Sequence, residues 1–158
     1  INNSTHFQCQ MEDVEQLIIK KYQFWDIMLH PNQCHLGRCI LWCKRKDADD
    51  FIETTSKERE EFFKITKDLN NTLTELWQPD RMNYASLGNR TNHLHIHIIP
   101  RYQKDRSFLN TKFTDERWSK NYAPYDKTFS IPNALREKIK NIIEKNLKNK
   151  QQNPPQKP

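Results

Sequence analysis

Three of the six histidines stand at alternate positions, His93, His95 and His97, within the stretch NHLHIHIIPRY. On a β-strand such positions share one face, and Leu94, Ile96 and Ile98 turn to the other, toward a core. The imidazole row therefore lines a surface apart from the main apolar layer. Metal binding is one chemistry open to it, since neutral imidazole is a common zinc ligand. Against that, the outer pair would stand about 13 Å apart along a strand, and outside the row itself no H-x-x-x-H or C-x-x-C occurs as a partner. Phosphate chemistry asks for less. Imidazole, with an ordinary pKa near 6.5, offers a neutral nucleophilic nitrogen at pH 7. A central ring can attack phosphorus while its neighbours donate hydrogen bonds to the surrounding oxygens, and water then cleaves the phosphoramidate. That chemistry needs one ring nitrogen free and the other held by an acceptor, so that the tautomer is fixed. Ordinary half-exposed polar positions would explain one histidine more readily than three in strict alternation.

The elements that must hold this row can be read along the chain. MEDVEQLIIKK places Val14, Leu17 and Ile18 at helical spacing and predicts a short helix. YQFWDIML predicts a strand, HPNQCHLG a turn punctuated by Pro31, Asn32 and Gly37, and RCILWCKR a second strand, apolar on both faces. A long helix is expected over about 56–77. Thr55 and Glu58 form a capping box, Phe62, Ile65, Leu69, Leu73 and Leu76 form one stripe, and Pro79 closes it. RMNYASL and NHLHIHII then read as antiparallel neighbours joined by a short loop. Residues 103–130 read as irregular and aromatic. A last helix is expected over about 132–147 with Leu135, Ile139, Ile142 and Leu147 inside. Residues 1–10 read as a flexible lead-in, 11–148 as one domain, and 149–158 as a disordered tail.

The 158 residues carry a formal charge of +6, which suits anionic ligands, although the lysines of REKIKNIIEKNLKNK read as one solvated helix side plus a tail. Nucleic acid is therefore a disfavoured partner. No apolar run approaches the roughly 18 residues of a membrane span, and no basic-then-apolar leader opens the sequence as given. Cys9, Cys34, Cys39 and Cys43 form no C-x-x-C, and free thiols suit a reducing, cytoplasmic setting.

The motif H-φ-H-φ-H-φ-φ, here His93-Leu94-His95-Ile96-His97-Ile98-Ile99, resembles the signature of the histidine triad (HIT) superfamily of nucleotide hydrolases and transferases. NYASLGNRTNHLHIHIIPRY resembles the bacterial-type, diadenosine-polyphosphate hydrolase-like branch, and FWDIMLHPNQCHLGRCILWCKR resembles the family's first strands. The resemblance spans roughly residues 14–105. It implies an α+β, HIT-like fold with a central antiparallel sheet of about five strands, and a homodimer whose sheets join. It makes His95 the nucleophile at the α-phosphate, His97 the contact to phosphate oxygens, and His93 the residue that holds the row.

Around these residues, the loop Gly88, Asn89, Arg90 and Thr91 can turn backbone N–H groups to an anion, each donor supplying about 3–4 kcal/mol to developing charge. Asn83, on the neighbouring strand, can reach the same oxygens. Arg101 is either a phosphate clamp or solvent-facing. Phe24, Trp25 and Ile27 would wall a nucleoside slot or else pack in the core, with His30 or Asn32 at the ribose. Lys46 replaces a histidine common in relatives, Asn92 replaces a proline, and paired cysteines are missing, so no structural zinc and no protein-bound cofactor is expected. A divalent cation would accompany a polyphosphate substrate only as its counter-ion. Asn89-Arg90-Thr91 is a sequon inside the proposed phosphate loop, and a glycan there would block the site. The reading is an enzyme that cleaves a nucleoside phosphoanhydride or phosphoramidate through a nucleotidyl-histidine at His95. The alternatives are a nucleotide-binding regulatory protein with negligible turnover and a nucleic-acid-binding module.

Overall fold

A computed structural model of the protein describes residues 14–152, with side chains described to residue 147. The expected lead-in lies outside the described residues, as does the tail from residue 153. Residues 14–17 form one helical turn, but the chain then leaves the helix as strand β1, Ile18–Lys21. The helix expected through Lys21 is therefore cut short. Ile18, Lys20 and Lys21 pair with the next strand, β2, Trp25–Leu29, and a register shift separates Ile18 from Lys20. Tertiary pairing overrides the local helical spacing here.

Strand β3, Cys39–Cys43, pairs antiparallel with β2 from Trp25↔Cys43 to Leu29↔Cys39. The turn between them is organised by one buried amide. Gln33 Nε2 donates to His30 O at 2.7 Å and Arg38 O at 2.9 Å, and Gln33 Oε1 accepts from Gly37 N at 2.9 Å. Gly37 sits at φ +82° with its Cα against Leu73 and Trp77 of the long helix, where an added Cβ would come within 2.9 Å of both side chains. Gly37→Ala is expected to destabilise the protein by about 1–3 kcal/mol through overpacking and backbone strain. Urea unfolding at constant m-value measures it.

Helix α1, Ser56–Trp77, begins at the predicted capping box. Thr55 accepts from the Glu58 amide, and the Glu58 carboxylate accepts from the Thr55 amide. Phe62, Ile65, Leu69, Leu73 and Trp77 are its buried stripe, with Leu76 only partly covered. They pack on Trp25, Ile27, Leu41, Ile96 and Ile98, each burial contributing about 1.5–3 kcal/mol. After α1 the chain forms β4, Arg81–Ala85, and β5, His95–Arg101. The five-stranded sheet has the order β1-β2-β3-β5-β4, with every neighbouring pair antiparallel.

The segment read as irregular contains a hairpin, β6 (Arg106–Phe108) and β7 (Thr111–Phe113), turned through Leu109 and Asn110 at φ 47° and 62°. Both turn residues take the positive φ that a two-residue hairpin demands, without the usual glycine. Helix α2, Asn133–Gln152, packs against α1 and β1. It buries Leu135, Ile139, Ile143 and Leu147, so Ile143 takes the position expected of Ile142, and the helix runs past the expected end at 147.

Candidate active site

The register of the sheet decides which side chains meet. Across the strands, His95 pairs with Trp42 and Trp42 with Asp26, while His97 pairs with Ile40 and with Ala85, and Ile40 with Met28. These residues share the sheet face opposite α1. Trp25 and Ile27 point the other way and are fully buried, so they belong to the core and not to a nucleoside slot. Phe24 packs against that core as well. Asp26, Met28, Ile40 and Trp42 take the places beside the triad. Reading RCILWCKR as apolar on both faces concealed this, because Ile40 and Trp42 are only half-buried while Cys39, Leu41 and Cys43 are covered.

His93 lies just before β5, not on it. Its ring stacks on Trp42 with centroids 4.4 Å apart and 19° between planes, and its Nε2 donates to the carbonyl of Cys43 at 2.7 Å. This fixes the backbone of His93, whose own carbonyl lies 2.7 Å from His95 Nδ1. A carbonyl can only accept, so His95 carries its proton on Nδ1 and a lone pair on Nε2. The His95 ring also lies along Trp42 at 5.6 Å and meets His97 edge-on at 5.1 Å.

His97 stands beside His30, ring centroids 5.7 Å apart. Burial, then the nearby Arg38 charge, pulls His97 down to about 4. The same two causes pull His30 down to about 3, and His30 Nδ1 accepts from the Asn32 amide at 3.0 Å. Both rings are thus neutral in the folded protein, while they protonate near 6.5 when unfolded. Below that value the unfolded chain binds protons that the fold refuses, so stability is complete above about pH 6.5 and falls as the solution is acidified toward the folded values. His30 alone should cost roughly 2 kcal/mol at pH 5 relative to pH 7.5. Thermal melts between those pH values measure the loss, and a flat profile would contradict a buried neutral His30.

The remaining expected site residues divide into two groups. A cleft of about 250 Å³ brings Gly88, Asn89 and Ser86 to His93 and His95, and Asp49 and Asp50 line it too. Gly88 has φ +63° and open space where a side chain would stand. Thr91 is exposed, and its carbonyl accepts from the His93 amide at 2.8 Å. Asn32 serves its turn instead: Oδ1 accepts from Cys34 N at 2.9 Å and Nδ2 donates to Asp126 O at 2.8 Å. Arg101 is neither clamp nor solvent-facing. It is buried, binds Asp115 at 2.7 and 3.2 Å, and donates to the carbonyls of Arg117 and Lys120. Arg101 also donates to Asn83 Oδ1 at 2.9 Å, which fixes the amide and leaves the Nδ2 donors to other partners. Burial alone would raise Asp115, but hydrogen bonds from His35 and Arg101 outweigh it and hold the carboxyl below the ordinary range.

Asp26, which the sequence did not single out, stands on the same sheet face as the triad, across Trp42 from His95. Its Oδ1 is buried with no hydrogen-bond partner among the described residues, and burial raises its pKa. Among those residues no group of three or more His, Cys, Asp or Glu is disposed to hold a metal ion. Cys34, Cys39 and Cys43 are free thiols.

A five-stranded antiparallel sheet with this row on an interior strand, and α1 covering the opposite face, defines a HIT-like fold. Residues 29–104 match the HIT domain family. Proteins with this domain are generally nucleotide hydrolases or transferases. Among solved structures, a histidine triad protein from Bradyrhizobium japonicum is 17% identical with TM-score 0.70, over 88% of this chain and 94% of that one. A histidine triad protein from Sinorhizobium meliloti is 19% identical with TM-score 0.70, over 88% and 93%. A hypothetical histidine triad nucleotide-binding protein from Sulfolobus tokodaii is 17% identical with TM-score 0.69, over 91% of each chain. At these identities the likeness is one of fold. No curated protein matches the sequence.

Proposed function

We propose that the protein is a nucleotide hydrolase or nucleotidyl transferase that cleaves at the α-phosphate of a nucleoside phosphoanhydride or phosphoramidate, a dinucleoside polyphosphate being the model substrate. The observation that carries this is the 2.7 Å contact of His95 Nδ1 with the His93 carbonyl, which leaves Nε2 as the nucleophile. Nε2 attacks phosphorus, the bond to the leaving phosphate breaks, and its electron pair departs with that oxygen. The positive charge left on the His95 ring is met by the His93 carbonyl at Nδ1–H. Water then attacks phosphorus and gives up a proton to solvent, the P–N bond breaks, and its electron pair returns to Nε2 as the ring's lone pair.

Asn83 Nδ2, His97 and the amides of the 88–91 loop are the donors for the phosphoryl oxygens. Met28, Ile40 and Trp42 offer the nucleoside an apolar floor, and the unpartnered Asp26 oxygen is a better acceptor for a ribose hydroxyl than His30 or Asn32. A divalent cation travels with the polyphosphate. Among the described residues no helix is long and apolar enough to cross a membrane, and the free thiols suit a cytoplasmic setting.

Brief mixing with diadenosine tetraphosphate, followed by acid-free peptide mass spectrometry, tests the covalent step. An adenylate mass on the peptide carrying His95 supports it. Binding without adduct or release would make the protein a nucleotide-binding regulator.

A homodimer through the edge strand β4 is part of the same proposal. Tyr84 is 51% exposed and Phe63 of α1 is 64% exposed, and they flank one apolar groove at that edge. Sedimentation should give a dimer for the wild type and a monomer for Phe63→Glu. A monomeric wild type sinks this part of the reading.

A further inference from the structure

Arg38 stands where an arginine is costly. It precedes β3 and is only 1% exposed, and its Nε and Nη1 have no hydrogen-bond partner among the described residues. Asp115, the buried carboxylate of this region, is held by Arg101 and His35 instead. A buried guanidinium without a carboxylate is retained against a large desolvation penalty. Two aromatic faces partly offset it: the guanidinium lies 4.4 Å from the Tyr125 ring centroid and 5.4 Å from that of Tyr122. Among the described residues its side chain has one hydrogen-bond contact, and that is to the triad, where Arg38 Nη2 lies 3.4 Å from His97 Nδ1.

A guanidinium only donates. The nitrogen facing it must therefore present a lone pair, and the single proton of a neutral His97 ring must sit on Nε2. We infer that Arg38 is the positioning residue that fixes His97 as a neutral, Nε2-protonated donor to the phosphate, an inference that rests on the nucleotidyl-transfer reading of the site.

The groups around His97 support this from each neighbouring strand. His30 approaches from β2 and His95 along β5, Arg38 comes from the start of β3, and the cross-strand neighbour on β4 is the uncharged Ala85. Tyr125 stands beyond His30 and Arg38. None of these groups is a carboxylate, so nothing in contact favours an imidazolium at His97. Burial and Arg38 together keep its proton affinity low, at about 4. The consequence is mechanistic. His95 gains positive charge as it attacks, and a second cation beside it would oppose that step. A neutral His97 holds the oxygen without adding charge.

Nitrogen-resolved histidine NMR of the free, full-length protein across the acid range tests the inference without any substrate. The wild type should show His97 as the Nε2–H tautomer, unprotonated at about pH 5. In Arg38→Gln the His97 proton affinity should rise about tenfold or more, with mixed tautomers, and Arg38→Lys should restore the low affinity. In turnover of diadenosine tetraphosphate the acid limb should move with the same variants, with kcat falling more than KM changes. An Nδ1–H tautomer in the wild type overturns the inference even if Arg38→Gln does not fold. So does a folded Arg38→Gln protein whose His97 titrates as before. Absence of turnover together with the expected spectra would instead overturn the nucleotide chemistry and leave Arg38's hold on His97 standing.

Discussion

His95→Gly is expected to lower turnover of a dinucleoside polyphosphate by about 10^4-fold or more, the scale on which enzymes lose activity when a covalent nucleophile is removed. The argument is geometric. His93 reaches Cys43 through its ring and His95 through its carbonyl, so the His95 Nε2 lone pair is fixed before substrate arrives. No other described group of the row is arranged in that way, since His93 Nε2 is already occupied and His97 turns its Nδ1 toward Arg38. Glycine at position 95 leaves a gap on the sheet face, so added imidazole should restore part of the rate by standing in for the lost ring. Nucleotide affinity should change little, because the loop, Asn83 and the floor residues stay in place. A His95→Gly protein that retains wild-type turnover would remove the covalent mechanism altogether.

The second large effect concerns stability. Asp115→Ala should lower the unfolding free energy by about 3–5 kcal/mol, the cost of stranding a buried partner. The Asp115 side chain is fully covered, and it serves Arg101, His35 and the amides of Tyr102 and Arg117 at once. The substitution strands the Arg101 guanidinium in an interior from which it cannot reach water. Arg101 keeps its bonds to Asn83 and to the Arg117 and Lys120 carbonyls, which places the loss toward the lower end. For a chain of this length that end corresponds to a fall in Tm of roughly 6–12 °C. Calorimetry measures it, and a shift of only a degree or two would show that the network is not sustaining the segment that carries it. Because Arg101 orients Asn83, the variant should also weaken nucleotide binding under conditions where it remains folded.

The triad and the long helix were legible because each repeats a period. Alternation put His95 and His97 on one face, and the spacing of Phe62, Ile65, Leu69 and Leu73, with the Thr55–Glu58 box, marked α1 nearly to the residue. Features set by partners distant in sequence were not legible. Ile18 looks helical beside Val14 and Leu17, and only β2 makes it a strand residue. Phe24, Trp25 and Ile27 are the aromatic and apolar residues of that stretch, yet the pleat sends Trp25 and Ile27 into the core and leaves Asp26 and Met28 beside the triad. Arg38 reads in sequence as an ordinary charge at a turn. Its burial follows from Tyr122 and Tyr125, more than eighty residues later in the chain, folding back over it. The same holds for Arg101, whose partner Asp115 lies beyond an unanticipated hairpin.

Strand β5 pairs with β3 over His95–Ile98 and with β4 over His97–Arg101, so His97 and Ile98 have a strand on each side. Amide protons of His97 and Ile98 should therefore exchange with solvent only when the whole domain opens, among the slowest in the molecule. Catalytic competence is then an all-or-none property of the molecule. A variant destabilised away from the site loses activity by spending less time folded, while each folded copy works at the full rate.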